Sequence, residues 1–182
     1  LSALTANVQP VLLDLGPVVG SNVNFFGEQL GCKILVEDLF TDLDRHARSG
    51  RLEAFPQFLA GRFRHEPGSV DGILCWDLFD YLDRSSGDAL AAQLMRILRP
   101  GGTLLGLFGT DSPGEPRQTR FLIVDEANLR YRTTPAARGR QAVLANRDIE
   151  RMFDGLRVAE SFLLKNRVRE MLFRKPATDR AA

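Results

Sequence analysis

At 182 residues the chain has the length of one ordinary domain, and 44% apolar with 26% charged residues is the balance of a globular protein with a substantial core. A net charge of +1 excludes a global field aimed at nucleic acid or acidic membranes. Two cysteines, Cys32 and Cys75, both in apolar surroundings, exclude a disulfide scaffold.

Apolar runs bounded by turn residues alternate with segments of helical period, the pattern of a mostly parallel sheet. Val11-Leu12-Leu13 is the first strand. Asn22 to Leu30 follows as a helix with Phe25, Phe26 and Leu30 inward, and Gly31 ends it. Lys33 to Val36 is the second strand, and Leu39–Ala47 a helix carrying Leu39, Phe40 and Leu43. Residues 49–69 should contain a third strand, with Leu52–Phe55 or Gly61–Arg64 as its weak candidates. Val70–Trp76 reads as a central strand.

Ser85 then caps a helix, with Asp88 in capping-box spacing and Leu90, Leu94, Ile97 and Leu98 as its buried stripe. Arg99-Pro100-Gly101-Gly102 stops that helix, and Thr103–Phe108 is the next strand. Beyond a Gly/Pro-rich loop, Phe121–Val124 and Leu129–Arg132 form a two-stranded excursion within about 117–140. A helix through NRDIERMFDGL and strands at Val158–Leu164 and Val168–Phe173 complete a single domain over residues 1–182, with a frayed tail at 177–182. No basic segment leads into a short apolar run, and no apolar window reaches bilayer length, so the expected location is cytoplasmic with no membrane partner.

Three features fall in a telling order. Asp14-Leu15-Gly16 closes the first strand, Gly20 opens the next helix, and Glu37 ends the second strand 21 residues after Gly16. In open parallel sheets ligands sit beyond the carboxyl ends of the strands, where an acid can hold ribose hydroxyls and glycines let a cofactor approach the main chain.

At DLGPVVG, VEDL, GSVDGILCWDLFDYL and ILRPGGTLL the chain resembles the class I S-adenosylmethionine-dependent methyltransferases, over nearly its whole length. The resemblance implies a three-layer α/β sandwich: a seven-stranded, mostly parallel sheet of order 3-2-1-4-5-7-6, ending in an antiparallel hairpin. It implies S-adenosylmethionine as cofactor and S-adenosylhomocysteine as product, held around Asp14, Gly16, Pro17, Val18, Gly20, Asn22, Glu37, Asp38 and Trp76. Asp77 and Tyr81 would face a small-molecule acceptor. The sequence departs from the family at Val18, which replaces the middle glycine and would narrow the pocket if its side chain turned inward. It departs again at the third strand, whose acid is not readable.

Several residues carry two readings. Asp38 also suits a helix cap. Trp76 is either core or pocket wall, and Asp77 either a helix cap or the group that orients the acceptor or takes its proton. Eight arginines against four acids between Arg117 and Arg151 mark a solvated face or an anionic partner. Leu129 and Tyr131 share a strand face that covers the pocket or packs on a second copy, which makes the excursion a candidate homodimer surface. A nicotinamide fingerprint laid from Gly16 fails at both Val18 and Ser21. With His46 and His65 the only histidines, no metal site is expected, and no motif for nucleobase substrates follows Cys75. The alternative function is a methyltransferase-like interaction module that no longer catalyses.

Overall fold

The computed structural model describes residues 9–177, so nearly all of the tail expected at 177–182 lies outside the described residues. Its strands are β1 (Val11–Asp14), β2 (Lys33–Val36), β3 (Val70–Trp76), β4 (Leu98–Gly109), β5 (Arg117–Ile123), β6 (Leu129–Pro135), β7 (Arg157–Leu163) and β8 (Val168–Arg174). Its α-helices are α1 (Gly20–Asn24), α2 (Leu39–Arg48), α3 (Phe55–Arg62), α4 (Arg84–Ile97) and α5 (Asn146–Met152).

Six strands form the main sheet in the order β2-β1-β3-β4-β8-β7, and β5-β6 stands apart as a two-stranded sheet. The first four pair in parallel, while β8 runs antiparallel to both β4 and β7. This corrects the expected seven strands: the observed order is the expected one with its third strand absent among the described residues. The reason is local. Phe55 and Leu59 stand four apart and are both buried, which suits a helix, and Pro56 is tolerated in a first helical turn but would break a ladder. Leu52–Ala54 is a 3₁₀ turn leading into α3, and His46 closes the cluster with its ring 4.9 Å from Phe55. The strand candidate Leu52–Phe55 is therefore helical, Gly61–Arg64 is the end of α3 and the irregular segment after it, and β2 is left as the edge.

Two other expectations need correction. The helix after β1 is not continuous: α1 gives way to a wider π-helical turn over Phe25–Gln29, which buries both Phe25 and Phe26 before Gly31 turns the chain at φ +65°. The cap of α4 is Asp83, whose carboxylate accepts from Ser86 N at 2.8 Å; Ser85 already lies in the helix and Asp88 pairs with Arg84 instead. The stripe Leu90, Leu94, Ile97 and Leu98 is fully buried, and cutting one such leucine to alanine costs about 2–5 kcal/mol.

Alternation along the strands divides the core in two. Leu13, Ile73, Cys75 and Leu104 face α2, α3, α4 and α5. Leu12, Leu74, Trp76 and Leu107 face the other way, where Phe25, Phe26, Cys32 and Phe121 of the hairpin complete the buried cluster and partly buried side chains such as Leu30 and Ile123 pack against it. Among the described residues no helix is long and apolar enough to cross a membrane.

Candidate functional site

The parallel strands end together at Asp14, Val36 and Trp76, and the chain leaves β1 for β2 on one side and reaches β3 on the other. A crevice at that switch point is where ligands bind in open α/β sheets. Asp14 is buried, and its Oδ1 accepts from Gly16 N at 2.8 Å and from Trp76 Nε1 at 2.6 Å. Burial raises the Asp14 pKa against the pull of these two donors.

Beyond Gly16 the loop is open. Val18 is 68% exposed, so its side chain turns to solvent and does not narrow the crevice, and nothing lies within 4 Å of a methyl group built on Gly20. Pro17 is half-buried between them. These positions suit a ligand that runs along the main chain.

Gly16 itself is covered. A Cβ there would stand 2.8 Å from Trp76 Cδ1 and 2.9 Å from Nε1, so the indole lies against the bare glycine. Trp76 reaches this place with φ +52°, a conformation that costs a bulky L-residue of order 1–3 kcal/mol. The other side of the indole stacks on Phe121 of β5, ring centroids 5.3 Å apart and planes within 8°. Asn22, also buried, clamps the same strand: its Nδ2 donates to Phe121 O at 3.0 Å and its Oδ1 accepts from Ile123 N at 2.8 Å. The hairpin is thus tied down across the crevice.

At the end of β2, Glu37 N donates to Asp14 O at 2.8 Å, which sets the acid beside the glycine turn. Its carboxylate pairs with Arg62 Nη1 at 2.6 Å and lies 3.3 Å from His65 Nε2. Arg62, Arg64 and His65 line a cavity together with Glu37. Asp38 is the cap of α2, accepting from Thr41 N at 3.0 Å and Thr41 Oγ1 at 2.7 Å, so its carboxylate is already occupied.

A second group of acids follows β3. Asp77 precedes a 3₁₀ turn over Leu78–Tyr81 and Asp80 lies within it, and both are buried. Tyr81 OH donates to Asp77 Oδ2 at 3.2 Å, and the Thr119 hydroxyl reaches the same carboxylate. Asp80 Oδ2 accepts from Gly109 N at 2.8 Å and Arg140 Nε at 3.0 Å. Burial, then the neighbouring Asp80, push Asp77 up to about 7; burial raises Asp80 to about 6 against Gly109 N and Arg140. A cavity of about 150 Å³ beside them is lined by Phe121, Tyr131 and Thr133 of the hairpin. Asp77 does not cap a helix with its side chain.

The structure therefore brings together Asp14, Gly16 and Trp76, and separately Asp77 and Tyr81, while Asn22 is committed to the hairpin. Phe121, Thr119, Arg140 and Arg62 complete these clusters, and nothing local in the sequence marks them. Leu129 lines one cavity beside the hairpin and Tyr131 another, and both side chains remain exposed. No group of histidine, cysteine and acid side chains with metal-binding geometry occurs among the described residues.

No family model matches the sequence, and no curated protein matches it. Solved structures do. The 1,6-didemethyltoxoflavin-N1-methyltransferase of Burkholderia thailandensis, with 1,6-didemethyltoxoflavin and S-adenosylhomocysteine bound, is 15% identical; the match covers 96% of this chain and 76% of that one, at a TM-score of 0.56. The CcbJ methyltransferase of Streptomyces caelestis is 15% identical over 97% of this chain and 86% of its own, at 0.52. An S-adenosylmethionine-dependent methyltransferase of Clostridium acetobutylicum is 11% identical over 94% and 85%, also at 0.52.

Proposed function

We propose that this chain, which has the class I methyltransferase fold, transfers a methyl group from S-adenosylmethionine to a small-molecule acceptor. The observation that carries the reading is the turn from Asp14 to Gly20 at the switch point, braced by Asp14 and flanked by Glu37. Gly20 and the main chain from Gly16 to Val19 would receive the cofactor, and Glu37 would hold its ribose. Pro17 and Val18 would contribute backbone only, since Val18 points to solvent. For the same reason Val18 lends no weight to a non-catalytic interaction module.

The cofactor supplies an electrophilic methyl group on a sulfonium. The protein's part is alignment and exclusion of water, and well-oriented reactants recover about 7–11 kcal/mol of barrier. Trp76 and Phe121 would have to leave Gly16 for the cofactor to reach its full contact. Asp77, steadied by Tyr81 and Thr119, is the group positioned to orient the acceptor.

Calorimetric titration with S-adenosylmethionine and S-adenosylhomocysteine, with NAD as control, tests this. Ligand at a hundredfold its dissociation constant stabilises the native state by about 2.7 kcal/mol. For a chain of this size that raises the melting temperature by roughly 5–10 °C. Absence of both heat and thermal shift for the two adenosyl ligands would overturn the assignment.

A further inference from the structure

The small cavity under the hairpin has an unbalanced charge. From the turn after β3 it receives Asp77 and Asp80, from β4 the N–H of Gly109, from β5 Thr119, and from the segment before α5 Arg140. Arg169 of β8 acts on Asp80 through its field, while its Nη1 is held by Leu144 O at 3.2 Å. Arg140 is fixed on Asp80 and on Asp111 O at 3.2 Å. That leaves Asp77 with hydroxyl donors and no cation in contact. Asp77 Oδ1 and Asp80 Oδ1 are both buried without a hydrogen-bond partner among the described residues. A buried carboxylate in this state either takes a proton or waits for a positive charge.

We propose that this cavity is an amine-recognition site, in which the ammonium group of a ligand docks on the carboxylate of Asp77. The class follows from the geometry. The lack of a cation in contact with Asp77 calls for a monocation, and a space of about 150 Å³ admits a compact ammonium head with a short apolar stem. The ring of Phe121 and the side chain of Val168 line the apolar part, and aromatic walls suit a cation. A neutral hydroxyl would donate to the oxygen but leave the charge unmatched. With Asp77 poised near neutrality, the ammonium can pass one proton to the carboxylate: an N–H bond breaks, an O–H bond forms, and the electron pair stays on nitrogen. On the methyl-transfer reading above, on which the word acceptor alone rests, the acceptor is then an amine.

The experiment compares benzylamine with benzyl alcohol by calorimetry on the intact protein without cofactor. The amine should bind at least tenfold more tightly than the alcohol, and the preference should vanish in Asp77→Asn. Asp88→Asn, which removes an exposed carboxylate on α4 outside the cavity, should keep the preference. Equal binding of the two probes, binding of neither, or an Asp77→Asn variant that folds and still prefers the amine would each overturn the site. The outcome is separable from the cofactor assignment: binding of S-adenosylhomocysteine without amine preference removes this site alone, and the converse removes the cofactor alone.

Discussion

Trp76 is the only tryptophan in the chain, and its indole lies between Gly16 and Phe121. A ligand that settles on the glycine turn must displace the one strong fluorophore the protein has. Its affinity is then reduced by the fraction of molecules in which the indole is turned away. The stack on Phe121 contributes about 1 kcal/mol to the closed arrangement beyond its buried area. Phe121→Ala removes that contribution, and because about 1.4 kcal/mol is a factor of ten, S-adenosylhomocysteine should bind roughly fivefold more tightly to the variant. The backbone strain at Trp76 already favours release and is unaffected. Tryptophan emission, followed during titration and by stopped flow, reads both the affinity and the opening. Equal or weaker binding by Phe121→Ala, or an emission that stays constant while calorimetry reports saturation, would mean that the indole does not guard the turn.

Glu37→Ala should weaken S-adenosylhomocysteine at least tenfold by calorimetry; its pair with Arg62 is largely buried, but because Arg62 keeps Asp42 at 3.1 Å the loss of stability should stay at about 1–3 kcal/mol. Val18→Gly should leave the affinity unchanged within about twofold, since the valine side chain is 68% exposed; a large gain would mean that it does enter the crevice. Asp77→Asn concerns pH. The folded pKa of Asp77 is raised from 3.8 to about 7, so between these values the native state holds a proton that the unfolded chain has lost, and stability falls as pH rises. The variant should therefore exceed the parent above neutrality by on the order of 2–4 kcal/mol, with the gap closing towards about pH 4. Urea unfolding at both ends of that window checks it, and a gap independent of pH would contradict the burial of an ionisable Asp77.

Much of the sheet was legible because its strands are short continuous apolar runs. Val11-Leu12-Leu13, Lys33–Val36 and Val70–Trp76 are buried or half-buried on both faces, apart from the exposed Lys33, and could hardly be anything else. The alternation of strands and helices calls for a third strand in 49–69, but Phe55, Pro56 and Leu59 favour a helix, and local spacing prevails. The cap of α4 was missed by two residues because Asp83 and Ser85 are both good caps, and only backbone geometry separates them. At the site, Asp14 and Gly16 could be found from their neighbours. The contacts that define its present state could not: Asn22 meets β5 across 99 to 101 residues, and Arg140 meets Asp80 across 60. Such pairings depend on where the hairpin lands, which no periodicity encodes.

The two faces of the sheet are unequally covered, four helices on one and little more than α1, the π-helical turn and the hairpin on the other. Segments with thin apolar cover open locally at a lower free energy than the whole fold. The crevice is bounded by the thin side, so its walls belong to the part of the molecule that yields first. Access to the glycine turn can then be a frequent local event with α2, α3, α4 and α5 still packed, and the rate at which ligand enters is set by the hairpin's own cohesion rather than by the stability of the domain.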